Sequence, residues 1–193
     1  MALVLASASP RRFDILEASG IAFNAEPSRF DEGSVRHLPP RAQARASARG
    51  KAEEVAGRRP GDWILGCDTI VAINGEALGK PRDGVEASQM LRRLVGREHE
   101  VISAVCLLAP SGDRAEAAGI SRVAFQALRP FEIAEYVATG EPLDKAGAYA
   151  IQGGAGEFAA LVAGSVDTVI GLPMHVLRRL GRRLGCPEIL GTG

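Results

Sequence analysis

In Leu65-Gly66-Cys67-Asp68-Thr69-Ile70-Val71 a carboxylate interrupts an apolar run. A charge there costs free energy unless it is paired, hydrogen-bonded or bound to a metal. Asp68 is therefore either a strand-bend residue bonded to neighbouring backbone or a working acid or ligand. Asp31-Glu32 lies in a polar stretch, where an acidic pair alone is ordinary solvated surface. The cations are more telling. Of 23 basic residues only Lys51, Lys80 and Lys145 are lysine, and each adjoins a glycine or an aspartate. A compact ammonium with rotatable donors suits a polyphosphate as a point charge, a different task from the planar fork of arginine.

Two further segments carry groups that can meet a nucleotide. Ala6-Ser7-Ala8-Ser9-Pro10-Arg11-Arg12 puts hydroxyls and two guanidinium groups at a strand-to-helix junction, where free backbone N–H groups and the helix dipole attract phosphate. Taken alone it is also an ordinary helix cap with two exposed arginines. Gly147-Ala148-Tyr149-Ala150-Ile151-Gln152-Gly153-Gly154 offers flexible backbone, a ring that can stack and an amide that can read a base edge. By contrast, Arg178, Arg179, Arg182 and Arg183 lie opposite Leu177, Leu180 and Leu184 and read as a solvated helix face. His37, His99 and His175 have no metal-like spacing and read as structural.

These residues need elements to hold them. Leu3 to Ser7 reads as a short buried strand, and Ser9-Pro10 as an N-cap with proline at the first position of a helix ending near Ser19. Ile21 to Ala25 reads as a second short strand. A polar stretch then leads to Pro39-Pro40, which opens an alanine-rich helix to Gly57. Trp63 to Ile73 is the strongest strand signal, and Asn74-Gly75 after it is a hairpin turn. A helix over Gly84 to Leu94, strands over Glu98 to Leu108 and Ala115 to Phe125, and a helix over Pro130 to Thr139 follow. After an irregular glycine-rich stretch, Leu143 to Gly156, come one or two short strands and a helix from about Pro173. With no repeat and no linker, this order predicts one α/β domain over 1–193 with a mixed sheet and flanking helices.

Composition narrows the class. With 193 residues, 46% apolar and 24% charged, the chain can bury a real core. Its net charge is zero, so nothing at the scale of the chain points to nucleic acid or a membrane surface, and any anion site must be local. The apolar runs are too short for a membrane span, and the start shows no signal-peptide pattern. Cys67, Cys106 and Cys186 form no ligand spacing. Cys67 and Cys106 read as small buried hydrophobes and Cys186 as a candidate exposed thiol, and a reducing cytoplasm is expected.

Taken in order, several stretches resemble the Maf family over nearly the whole chain. They are Leu5 to Arg12, Asp31-Glu32, Lys51-Ala52, Gly66-Cys67-Asp68-Thr69, Leu78-Gly79-Lys80-Pro81, Gly96-Arg97-Glu98-His99, Gly140 to Tyr149, and Gly171-Leu172-Pro173. The resemblance implies a mixed α/β fold with two lobes around a deep cleft, like that of inosine triphosphate pyrophosphatases, and frequent homodimers. It implies hydrolysis of a nucleoside triphosphate to the monophosphate and pyrophosphate with Mg²⁺ or Mn²⁺. By matched position, Asp68 is the proton acceptor and, with Glu32, lies at the metal. Ser7, Arg12, Lys51, Lys80 and Lys145 line the phosphate cleft, and Arg11, Thr69 and Gln152 bear on substrate choice.

The stretch Asp144 to Gly153 is similar to the subgroup acting on dTTP and UTP. Cys67 and Thr168 depart from the common pattern, where alanine and asparagine are frequent. The resemblance also implies a house-cleaning role against non-standard nucleotides and a link to cell-division arrest. Two other readings stay open: a nucleotide-binding regulator of septum formation without turnover, and a pyrophosphatase for 7-methyl-GTP or other modified nucleotides.

Overall fold

The computed structural model describes residues 1–190. Its centre is a mixed seven-stranded sheet in the order β2-β1-β3-β5-β6-β7, with β4 also on β3. The strands are β1 (Leu3–Leu5), β2 (Asn24–Ala25), β3 (Trp63–Ile73), β4 (Glu76–Leu78), β5 (Glu98–Leu108), β6 (Arg114–Phe125) and β7 (Ala159–Ala163). β1 runs parallel to both its neighbours, and the remaining pairs are antiparallel. The turn from β3 to β4 is the Asn-Gly hairpin read from the sequence: Asn74 and Gly75 both have positive φ, as the tight turn between twisted strands requires.

Seven helices surround the sheet among the described residues: α1 (Pro10–Ala18), α2 (Pro40–Ala56), α3 (Gly84–Leu94), α4 (Pro130–Ala138), α5 (Val166–Ile170), α6 (Met174–Leu184) and α7 (Pro187–Leu190). Proline stands in the first turn of α1, α2 and α4, where its missing N–H costs nothing. None of them is long and apolar enough to cross a membrane. The expected strand over Ile21 to Ala25 shrinks to Asn24–Ala25, and the short helices α5 and α7 carry no sequence signal. Five or four residues are too few to display a 3.6-residue period. Ser9 occupies the N-cap position of α1, but its side chain makes no capping bond.

The alternation of β3 sorts the core. Ile64, Ile70 and Ala72 face α2, packing with Ala44, Ala48, Ala52 and Val55. Leu65 and Cys67 face α1 and α6, while Val71 and Ile73 join a third cluster built on α3, α4 and the glycine-rich stretch. The small residues on α2 let it lie unusually close: a Cβ on Gly66 would stand 2.1 Å from the Ala48 carbonyl oxygen. Glycine at 66 is thus a requirement of the helix–strand approach.

The decisive feature is an interruption along one edge of β3. β1 covers Trp63 to Leu65 and β4 covers Val71 to Ile73, so the strand has no neighbour on that side from Gly66 to Ile70. Its other edge is paired with β5 throughout this stretch. At the gap, side chains from both faces of the sheet open into one cleft.

Candidate active site

Asp68 and Thr69 sit at this gap and point to opposite faces of β3, yet both line a cavity of about 620 Å³. On the α2 face, Lys51 Nζ lies 2.6 Å from Asp68 Oδ1 and 2.7 Å from Glu32 Oε1. Lys51 comes from α2, held against β3 by Gly66; Glu32 opens a 3-10 turn, Glu32–Val35, in the polar loop before that helix. On the other face, buried Arg12 is clamped by three acceptors. Its Nε donates to the Gly171 carbonyl at 2.9 Å, and its terminal nitrogens donate to Ser7 Oγ at 3.0 Å and Thr69 Oγ1 at 3.1 Å. Thr69 and Ser103 hydroxyls pair at 2.9 Å, and Ser103 donates to the Thr168 carbonyl.

Burial and charge pull the two carboxylates apart. Asp68 is only 7% exposed, and desolvation raises its pKa above the ordinary value despite Lys51 and Arg12 pulling it down. Glu32 also suffers desolvation, but Lys51, Lys80 and Arg12 together outweigh it and lower its pKa. Asp68 therefore holds a proton more readily than Glu32, a division typical of sites where one carboxylate works as a base. Burial lowers Arg11 from its ordinary value, while Asp144 pulls it up. Asp144 also pairs with Lys145.

The ten candidate site residues all line this one cavity: Ser7, Arg11, Arg12, Glu32, Lys51, Asp68, Thr69, Lys80, Lys145 and Gln152. Its six cationic side chains, Arg11, Arg12, Arg36, Lys51, Lys80 and Lys145, face three carboxylates, Glu32, Asp68 and Asp144, a surplus of three positive charges. Such a cleft concentrates anions. Arg12 is buried, not the exposed arginine an ordinary cap would show, and Asp68 lies mid-strand, not at a bend.

Sequence reasoning missed Arg36, Gln43, Ser47 and the Gly171 carbonyl. Gln43 and Ser47 precede Lys51 by eight and four residues on α2, a helical spacing that could have found them once Lys51 was suspected. Gly171 stands in a stretch that carries the family resemblance, but the role of its carbonyl was hidden, because a backbone acceptor is anonymous in sequence. The basic stripe of α6 is solvent-exposed as expected, and His99 is buried behind Tyr149 and does not line the cleft. Cys186 is a correction: it is fully buried under α6, and desolvation pushes its thiol up to about 12.

The donor set sets the kind of cation this place can take. Two carboxylates converge on one point, now held by the Lys51 ammonium, and no group of three acidic, histidine or cysteine side chains gathers among the described residues. That is too sparse for a resident all-protein cage. It suits a hard divalent ion that takes one or two carboxylates and fills its remaining positions from phosphate and water.

The sequence signature of the family described as Maf-like protein matches residues 2–184. The chain belongs to the Maf family. Among curated Maf-type relatives, it is 48% identical over 188 residues to a protein of Anaeromyxobacter dehalogenans named dTTP/UTP pyrophosphatase, covering 96% of this chain and 95% of that one. Proteins of the same name from Moorella thermoacetica and Myxococcus xanthus are each 46% identical, covering 92% of both chains and 96% and 93% respectively. In backbone shape this Maf chain is distantly similar to a nucleoside-triphosphatase, a dITP/XTP pyrophosphatase, of Mycobacterium abscessus. That likeness has a TM-score of 0.40 and 17% identity, and covers 66% of this chain and 76% of the other.

Proposed function

We propose that this chain hydrolyses nucleoside triphosphates, dTTP and UTP foremost, to the nucleoside monophosphate and pyrophosphate. The observation that carries the reading is the Glu32–Lys51–Asp68 cluster, set at the unpaired edge of β3 inside a cation-rich cleft. The names of relatives sharing 46–48% of their residues over almost the full length support the same substrates.

In this reading Asp68 accepts the proton of the water that attacks the α-phosphorus, helped by a desolvation that makes its carboxylate more basic. Lys51 keeps the two carboxylates together when no substrate is present and lies within reach of the phosphates that enter. Lys80 and Lys145 offset negative charge gathering on the departing pyrophosphate, and Arg12, immobilised by its three acceptors, offers a fixed positive face beside Ser7. Arg11, Thr69 and Gln152 shape the choice of nucleotide. Glu32 and Asp68 are the residues that would hold a divalent cation, Mg²⁺ or Mn²⁺. Bound there, it would screen the triphosphate and polarise the attacked phosphoryl group. Buried, unpaired Cys67, Cys106 and Cys186 suit a reducing compartment, and we place the enzyme in the cytoplasm.

The test is pyrophosphate release with Mg²⁺ or Mn²⁺ across dTTP, UTP, CTP, the purine triphosphates and 7-methyl-GTP. Release from dTTP and UTP that chelation abolishes is the expected result. Release from another base alone overturns the substrate assignment, and release from none overturns the reaction.

A further inference from the structure

On α2, Gln43, Ser47 and Lys51 follow one another at intervals of four and form a single row along the helix. All three line the cleft. Ser47 is 1% exposed, yet its hydroxyl has no hydrogen-bond partner, and neither does the buried amide oxygen of Gln43. A serine inside a helix ordinarily satisfies itself on the carbonyl four residues back, as Ser88 does on Gly84 at 2.9 Å. Ser47 does not. Leaving a buried polar atom unmatched is costly, and such atoms beside a cavity point to an absent partner.

The lining comes from two parts of the chain that differ in chemistry. The glycine-rich stretch brings Tyr149, Ala150, Ile151 and Gln152, a ring and an amide suited to a nucleoside. The part formed by α2 and the loop before it brings Pro27, Ser28, Val35, Arg36, Gln43 and Ser47, none of them aromatic. Arg36 is exposed there and makes no ion pair among the described residues. A hydroxyl that can donate, an amide that donates when turned over and an uncommitted guanidinium together match phosphate oxygens. Lys51, on the same row of α2, joins this part to the acidic cluster. We infer that Gln43, Ser47 and Arg36 form the subsite for the terminal two phosphates, and so for the pyrophosphate product. This rests on the proposed reaction and adds the direction in which the triphosphate lies.

The test is binding of inorganic pyrophosphate and of the nucleoside monophosphate, each measured by calorimetry and as product inhibition, on the intact protein and on Ser47→Ala, Gln43→Leu and Arg36→Gln. Alanine is at home in a helix, so Ser47→Ala should fold, and its melting curve checks this. Pyrophosphate should weaken about tenfold in each variant, a change typical of one lost charge-assisted or buried contact, with monophosphate binding unchanged. Ser47→Thr, which keeps the hydroxyl, should retain most of the affinity. Weakened monophosphate binding with intact pyrophosphate binding would place the nucleoside at α2 and overturn the inference, as would no change in either. If the unsubstituted protein turns over dTTP while the variants bind pyrophosphate normally, only this inference falls. If it neither releases nor binds pyrophosphate, the proposed reaction falls with it.

Discussion

Two polar groups break the apolar interior on neighbouring strands, and they behave oppositely. Asp68 on β3 opens into the cleft and shares Lys51 with Glu32. His99 on β5 is 3% exposed, donates to or accepts from Tyr149 at 2.7 Å and stands edge-on to the rings of Phe125 and Tyr149. Burial pushes its pKa down to about 4, so it is a neutral ring in a packed cluster. Both are buried titratable residues with shifted pKa values. What separates them is the surroundings: at Asp68 one edge of the sheet is open and cations converge, whereas His99, paired with Val123 of β6, is packed among aromatic rings. Burial of a polar group marks a site only when the fold also provides access and excess charge.

The contrast breaks most sharply at Asp68. Asp68→Asn keeps the size and removes the base and ligand, so turnover should fall at least about a thousandfold, as expected when general-base and electrostatic contributions vanish together. Stability should move the other way. A carboxylate whose pKa is raised on folding costs stability once ionised, and this cost grows as pH rises through the folded-state value. The variant should therefore melt above its parent at pH 7, with the gain fading in acid. A variant that turns over normally refutes the assignment of Asp68. Lys51→Met should lower turnover about a hundredfold, and cost roughly 3 kcal/mol at neutral pH by leaving Asp68 and Glu32 facing each other without a cation. Acid should restore that loss as the carboxylates protonate, which a pH series of melting curves would read.

Much of this architecture is legible in the amino-acid sequence. The boundaries of β3, α3 and β5 follow directly from apolar runs, helical spacing and the turn residues that bound them, because long segments average out local accidents. Every candidate site residue reaches the cleft. What stays hidden is non-local. No pattern within β3 says that its pairing with β1 stops at Leu65 and its pairing with β4 starts at Val71, and that gap makes the site. Nor does the sequence say that Gly66 is needed for α2, since only the Ala48 carbonyl above it reveals the reason. Gly66→Ala sharpens this point: overpacking there should cost about 3 kcal/mol, and by lifting α2 it should separate Lys51 from Asp68. Activity should then fall further than stability alone explains at a temperature where the variant is still folded.

At His99 the smallest effect tests the other half of the comparison. Above pH 6.5 the ring is neutral in the folded and unfolded chain alike, and it has no bearing on the pH dependence. Below that, the unfolded chain takes up a proton that the folded ring refuses until about pH 4, so stability is lost as pH falls through this window. Between pH 7 and 5 the loss is about 2 kcal/mol. His99→Gln keeps a polar partner for Tyr149 and removes the titration, so its unfolding free energy by denaturant should lose that pH dependence, while turnover at pH 7 stays near the parent value. The effect is on stability because His99 is itself buried among aromatic rings and does not line the cleft. If the substitution instead shifted the pH profile of turnover and left unfolding untouched, the division between an open, charged site and a closed, neutral core would fail at His99.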